Sequence, residues 1–241
     1  MNRLWQKEYI LRAGDFDKFN RIKPSAVLEL FQDAAGQHAL ELGVGFESMI
    51  KRSYMWVLVR VKFRIVSNPV CYQKVLIKTW PLAPNRLSYR REYSIENENG
   101  ESLIQGSSEW VVMNSETRRL VADPNLYPFS EGFKEERMFE TKIGKVSDFE
   151  SLGTPRIVNA GFSEIDINNH LNNTKYANYV MDAIAPIESD KLKTFQIDYR
   201  KEVLEGTELK IYHINKDNEK IAKGLNNGET MFVCRLEYDK G

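Results

Sequence analysis

Apolar and polar positions along this chain follow two rhythms, and each rhythm occurs twice. From Pro24 onward, Val27, Leu30, Phe31, Ala34 and Ala35 recur at the spacing of a helix with one apolar stripe. Proline suits an early helical position, where its missing N–H would go unpaired anyway, and Gly43 can stop the helix. Tyr176, Tyr179, Val180, Ala183 and Ile184 trace the same stripe in the later half, ahead of Pro186. After each stripe the period drops to two. Val57, Val59, Val61, Phe63 and Ile65 alternate with Leu58, Arg60, Lys62 and Arg64, which predicts a strand with one buried face. Phe195, Ile197 and Tyr199 alternate likewise. SYRREYSI and SLIQGSSEWVVMN complete the strands of the first half, and LKIYHI and TMFVCRLEY those of the second, with Asn-Gly turns before the last strands.

The two halves also share residues in order. Asp17, Asn20 and Asp33-Ala34 match Asp166, Asn169 and Asp182-Ala183 without a gap; Phe63-Arg64 matches Tyr199-Arg200; Asn99-Gly100-Glu101 matches Asn227-Gly228-Glu229. Shared order and spacing point to a tandem duplication. The expected architecture is α+β, each half a helix packed on a curved antiparallel sheet. The expected division is a first domain over 1–127, a Glu/Lys-rich linker over 128–154 and a second domain over 155–241.

Composition narrows the function classes. The 241 residues are 42% hydrophobic and 28% charged, enough to build a core. Thirty-four basic residues balance thirty-four acidic ones, so nothing global argues for a nucleic-acid partner. Cys71 and Cys234 cannot make a disulfide framework, which fits a reducing compartment. The opening MNRLWQKEYILRAGDFD lacks the apolar run of a signal peptide, and no segment reaches bilayer-spanning length. A cytoplasmic location without membrane insertion is expected.

Familiar catalytic and nucleotide-binding motifs are missing, and His38, His170 and His213 lie far apart in sequence. No metal site and no cofactor are expected. His38 falls on the apolar side of the first helix and reads as a core or pocket-lining histidine. His213, in mid-strand, has no chemical neighbours. The segment DINNHLNNTKY, 166–176, differs. If extended, it sends Asp166, Asn168 and His170 to one side, with Asn172, Asn173 or Thr174 capping the helix that follows. The unpaired N–H groups at that helix start would supply oxyanion donors. On spacing alone, an active site and an Asn-rich turn stand level. The repeat separates them, because the matching positions of the first half are Asp17, Phe19 and Arg21. One copy has the polar set and the other does not, as expected if one half is specialised for chemistry.

DINNHLNNTKY resembles the D-x-N-x-H-x-N-N-x-K-Y signature of the plant and bacterial acyl-ACP thioesterases. MWVLVRVKFRIV with VLIKTWP, SSEWVVMNSETRRL and FQIDYRKE resemble further blocks of that family, in the same order, from about Tyr9 to Glu237. The resemblance implies a double hotdog fold. It implies a thioester hydrolase that frees a fatty acid from the phosphopantetheine arm of acyl carrier protein and so ends fatty acid synthesis. The catalytic set it implies is Asp166, Asn168, His170 and Glu202. Val203 stands where many plant members have a cysteine, so the implied route is general-base activation of water rather than a thiol nucleophile. The resemblance also implies an acyl slot in the first half, near Val27, Leu30, Phe31, Trp56 and Leu58. Because acyl carrier protein is acidic, Arg86, Arg90, Arg91, Arg118, Arg119, Arg200 and Lys201 are the docking candidates. The alternatives are a hotdog acyl-CoA thioesterase and a non-catalytic acyl-binding protein. Two fused hotdogs mimic the usual hotdog dimer, which leaves monomer and homodimer both open.

Overall fold

The computed structural model describes residues 3–151 and 153–239. Positions 1, 2, 240 and 241 of the expected domains and position 152 of the expected linker lie outside the described residues. The first half runs β1 (Trp5–Ile10), α1 (Pro24–Glu41), the short α2 (Phe46–Ile50), β2 (Tyr54–Ile65), β3 (Lys74–Pro81), β4 (Tyr89–Glu96), β5 (Ser102–Asn114) and β6 (Leu120–Val121). The second runs β7 (Arg156–Asn159), α3 (Tyr176–Ile184), β8 (Leu192–Tyr199), β9 (Glu208–Lys216), β10 (Glu219–Asn226) and β11 (Glu229–Tyr238). Helix α1 starts and stops where the sequence signals it, and α3 stops where its signal lies. Pro24 opens α1, Gly43 with φ +72° follows its end, and Ala185 in the left-handed region ends α3 ahead of Pro186.

The strands form one sheet in the order β1-β3-β4-β5-β2-β8-β11-β10-β9-β7, with β6 paired to β5. Each half contributes five strands to this path in the same relative order, mirrored about the β2·β8 seam. There Val61 faces Ile197 and Phe63 faces Phe195, the two rings stacked with centroids 5.3 Å apart. All four side chains are buried. Burying each ring stabilises the junction by about 1.5–3 kcal/mol. Helices α1 and α3 pack with the strands in one continuous apolar core.

Strand β2 departs from the expected alternation. Its pairing with β5 slips between Leu58 and Arg60, and Leu58 then lines the same cavity as Val61. One extra residue in a ladder flips every side chain before it to the other face. Tyr54, Trp56 and Leu58 therefore pack on the side where Val57 and Val59 were expected.

The segment expected as a linker is bound along its length. It crosses the sheet face opposite α1, from the first half to the second. Trp80 Nε1 donates to the Glu136 carbonyl at 2.9 Å, and the Met138 N–H donates to Glu92 at 2.8 Å. Arg60 reaches the Ile143 carbonyl at 3.1 Å, Gln196 the Gly144 carbonyl at 2.6 Å, and the Val146 N–H donates to Asp198 at 2.8 Å. Met138, Ile143 and Val146 are the buried anchors. Burial beneath this strap pushes the Glu92 carboxyl upward, against the hydrogen bonds from Met138 and Ser107.

Candidate active site

Residues 166–170 are not extended. They form a tight turn whose bonds recur in the first half. Asp166 accepts the Asn168 N–H on its carboxylate at 2.8 Å and donates its own N–H to the His170 carbonyl at 2.8 Å. Asp17 does the same with Phe19 at 2.9 Å and Arg21 at 2.8 Å. Asn169 and Asn20 take the left-handed conformation at φ +61° and +57°, and single bridges, Ile165 to Leu171 and Phe16 to Ile22, close the two turns. A short carboxylate reaching its own backbone two residues on outcompetes the strand, so the expected one-sided row of Asp166, Asn168 and His170 does not form. Asp166 instead shapes the backbone that carries Asn168 and His170.

The turn is fastened to the segment after β8. The Leu171 N–H donates to the Val203 carbonyl at 2.7 Å, which draws position 170 beside position 202. His170 Nε2 lies 3.2 Å from one carboxylate oxygen of Glu202, and the Arg118 guanidinium lies on the other oxygen. His170 keeps 23% of its side chain exposed and Glu202 38%, so water reaches both. Asn168 projects from the turn into solvent. Val203 is fully buried in the core. Behind the site Tyr176 packs edge-on to Tyr199 and Phe232; burial, with Asp166 and Glu202 nearby, pushes its phenol up.

The expected caps of α3 act one turn early. Asn172 accepts the Thr174 N–H at 3.0 Å and the Thr174 hydroxyl at 2.8 Å, while the residue preceding the helix is Lys175, with no side-chain cap. The expected slot residues divide. Phe31 and Leu58 line a narrow cavity of about 20 Å³ with Leu28, Tyr93, Ser108 and Asn173. Val27 and Leu30 lie in the main core, and Trp56 belongs to a second cluster, its Nε1 on the Val44 carbonyl at 3.0 Å. Beside the slot His38 is fully buried with Arg91 at 2.9 Å from its Nδ1. His213 is half-buried on β9, opposite Ala222.

Two docking candidates are excluded by burial. Arg91 turns inward to His38 and Thr79 under α1, and Arg90 turns outward beneath the strap, 3.2 Å from the buried Glu92. Both faces of β4 are covered, so its charged residues read as surface only if the strap goes unrecognised. Arg200 is held by Asp148 of the strap at 2.8 Å. Arg86 and Arg119 are exposed, as is Lys201, which pairs with Glu229 at 2.6 Å. Cys71 and Cys234 are free thiols. Among the described residues no cluster of His, Cys, Asp and Glu suited to a metal occurs, and no helix is long and apolar enough to cross a membrane.

Two helix-on-sheet halves fused through one sheet, with an imidazole–carboxylate pair at one of two equivalent turns, make this a double hotdog protein. Family models described as the acyl-ACP thioesterase N-terminal and C-terminal domains match residues 2–125 and 155–237. The chain belongs to the acyl-ACP thioesterase family. It is 29% identical over 220 residues to a palmitoyl-acyl carrier protein thioesterase of Arabidopsis thaliana, covering 83% of this chain and 52% of the relative. It is 30% identical over 215 residues to the palmitoyl-acyl carrier protein thioesterase of Gossypium hirsutum, with the same 83% and 52% coverage. The chain thus spans about half the length of these relatives, whose names place them in the chloroplast. In structure it resembles the 12:0-ACP thioesterase from Umbellularia californica, with TM-score 0.88, 22% identity and coverage of 99% and 98% of the two chains. An acyl-ACP thioesterase from Bacteroides thetaiotaomicron gives TM-score 0.83, 23% identity and 98% coverage of each chain.

Proposed function

We propose that this protein hydrolyses the thioester between a fatty acyl group and acyl carrier protein, releasing a free fatty acid and the carrier's thiol. The observation that carries this reading is the 3.2 Å contact between His170 and Glu202, open to water, on a turn that also carries the exposed Asn168. In the proposed route the pair takes a proton from water as the water oxygen bonds to the thioester carbonyl carbon. Asn168 holds that water or the carbonyl oxygen. Asp166 keeps the turn in shape. Backbone N–H groups near the start of α3 receive the developing oxyanion, each worth about 3 kcal/mol. As the carbon–sulfur bond breaks, the proton passes to the departing sulfur.

The slot between α1 and the sheet, lined by Phe31 and Leu58, is the proposed acyl entry; at about 20 Å³ it has room for one water, so its lining side chains must part as the chain enters. Of the docking candidates, Arg86, Arg119 and Lys201 are exposed and remain for an acidic carrier. The fused β2·β8 seam supports a monomer, since each half already has its partner. The reduced cysteines support a cytoplasmic location. The test is a release assay on carrier protein loaded with acyl chains of graded length, beside the same chains on coenzyme A, with His170→Ala as the blank. Preferred release from the carrier supports the reading. Preferred release from coenzyme A replaces the substrate, and tight binding without release replaces the activity.

A further inference from the structure

We propose that Arg118, contributed by the first half, is a positioning residue that fixes the Glu202 carboxylate for its partnership with His170; this rests on the hydrolytic reading above. The three side chains form a row. The guanidinium holds one carboxylate oxygen of Glu202, and the other oxygen lies 3.2 Å from the imidazole. A guanidinium on a carboxylate makes a charge-assisted contact, stronger than a neutral hydrogen bond, and Arg118 Nη1 on Met55 Sδ at 3.4 Å helps to aim it.

The chain invests in aiming that guanidinium. After β5 the Asn114 side chain accepts the Glu116 N–H at 3.1 Å, the Thr117 N–H at 2.8 Å and the Thr117 hydroxyl at 3.0 Å. The Asn114 backbone closes the loop from both ends, taking the Arg118 N–H at 2.9 Å and giving its own N–H to Arg119 at 2.9 Å. Arg118 itself sits at φ +57°, a left-handed conformation that side-chain-bearing residues avoid. An arginine forced into that region by a side-chain-capped turn is placed, not merely tolerated. The Ser115 N–H on the Ser53 carbonyl, at 2.8 Å, ties the turn to the segment leading into β2.

The equivalent junction of the fold supplies the comparison. Matching Phe63-Arg64 to Tyr199-Arg200 sets Val66 at the place of Glu202, and the repeated turns set Arg21 at that of His170. Arg21 and Val66 line one cavity there, together with Tyr238 and Asp239 at the end of β11. Here Arg21 binds Asp17 at 2.8 Å and the Ile187 carbonyl at 2.9 Å, tying its turn to the segment after α3. The imidazole–carboxylate pair of His170 and Glu202 thus has no counterpart at the other junction, where Arg21 and Val66 stand in their places. Arg118 belongs with the pair rather than with a docking surface.

The test compares Arg118→Ala, Arg118→Lys, Glu202→Gln and the double variant R118A/E202Q, on acyl carrier protein and on a small soluble acyl thioester. Arg118→Ala is expected to lower kcat about 10- to 100-fold on both substrates, with KM within about twofold, because a charge-assisted contact to the base is lost. Arg118→Lys recovers part of that loss, and R118A/E202Q is no slower than Glu202→Gln alone. The imidazole NMR resonances of His170 move in Arg118→Ala at an unchanged melting temperature. An unchanged kcat, a loss confined to KM for acyl carrier protein, or additive losses in R118A/E202Q overturns the proposal and returns Arg118 to docking. A wild-type protein that hydrolyses neither substrate defeats the hydrolytic reading instead; Arg118 is then judged on the His170 resonances, and their staying still overturns its role too.

Discussion

Asp148 at the end of the strap allows a sharp prediction about stability. It accepts Lys223 at 2.9 Å, Arg200 at 2.8 Å and the Thr230 hydroxyl at 3.1 Å, so one carboxylate fastens the strap to β10 and to one end of the antiparallel β8·β11 pair. Burial works against its charge, yet these bonds, the Phe149 N–H and the Lys223 charge hold its pKa down at about 2 from the usual 3.8. Such a drop is worth at most about 2.4 kcal/mol. With 36% of the side chain exposed, screening cuts that to about 1 kcal/mol. Asp148→Asn also leaves the Lys223 ammonium, 7% exposed, without its counter-charge. A total near 2 kcal/mol lowers the melting temperature of a chain this long by about 4–8 °C at pH 7. The sign with pH follows from the depressed value. The contribution is whole above the unfolded pKa near 3.8 and is lost as pH falls through about 2. Melts of wild type and Asp148→Asn between pH 7 and pH 2 should therefore show a gap that closes below about pH 4. A gap of under a degree at pH 7, or one that stays constant down to pH 2, refutes the reasoning.

Other expectations are quicker to state. A Cβ at Gly106 would stand 2.1 Å from Cε2 of Phe31, whose ring is stacked on Tyr93 with centroids 4.2 Å apart. Gly106→Ala should push that ring into the slot, costing about 1–3 kcal/mol in a urea melt and lowering kcat/KM for long acyl chains more than for short ones. An equal effect on all chain lengths would separate the slot from the substrate. Val203→Cys should leave turnover within about twofold and resist alkylation in the native protein, because the position is fully buried. Rapid labelling that abolishes turnover would put the side chain at the site after all.

Much of the fold was legible because its signals are local. Helical stripes, Pro24, Pro186 and the repeated Asp-x-x-Asn spacing act within a few residues, and the structure follows them. His170 stood out by its spacing and by the internal repeat, Glu202 only by the family resemblance, and the two side chains do meet. What stayed hidden needed either a side chain acting on its own backbone or a contact from far along the chain. An alternating pattern over 166–170 cannot reveal that Asp166 folds it into a turn. The bulge at Val59 leaves no mark in a run where apolar residues occupy both faces. The strap hides its three anchors among Glu and Lys, so the second buried face of β4, and the burial of Arg90 and Arg91 with it, had no sequence signature. Arg118 reaches Glu202 across the whole strap and α3, and looked like one more surface cation.

The claim on which the account turns is that His170 and Glu202 work as one unit that takes a proton from water. Single-turnover release of fatty acid from acyl-loaded acyl carrier protein by wild type, His170→Ala, Glu202→Gln and the variant carrying both changes measures this directly. The account predicts that each single change slows release by about 10²- to 10⁴-fold and that combining them slows it little further. Near-normal release by Glu202→Gln, or losses that multiply in the combined variant, would contradict it.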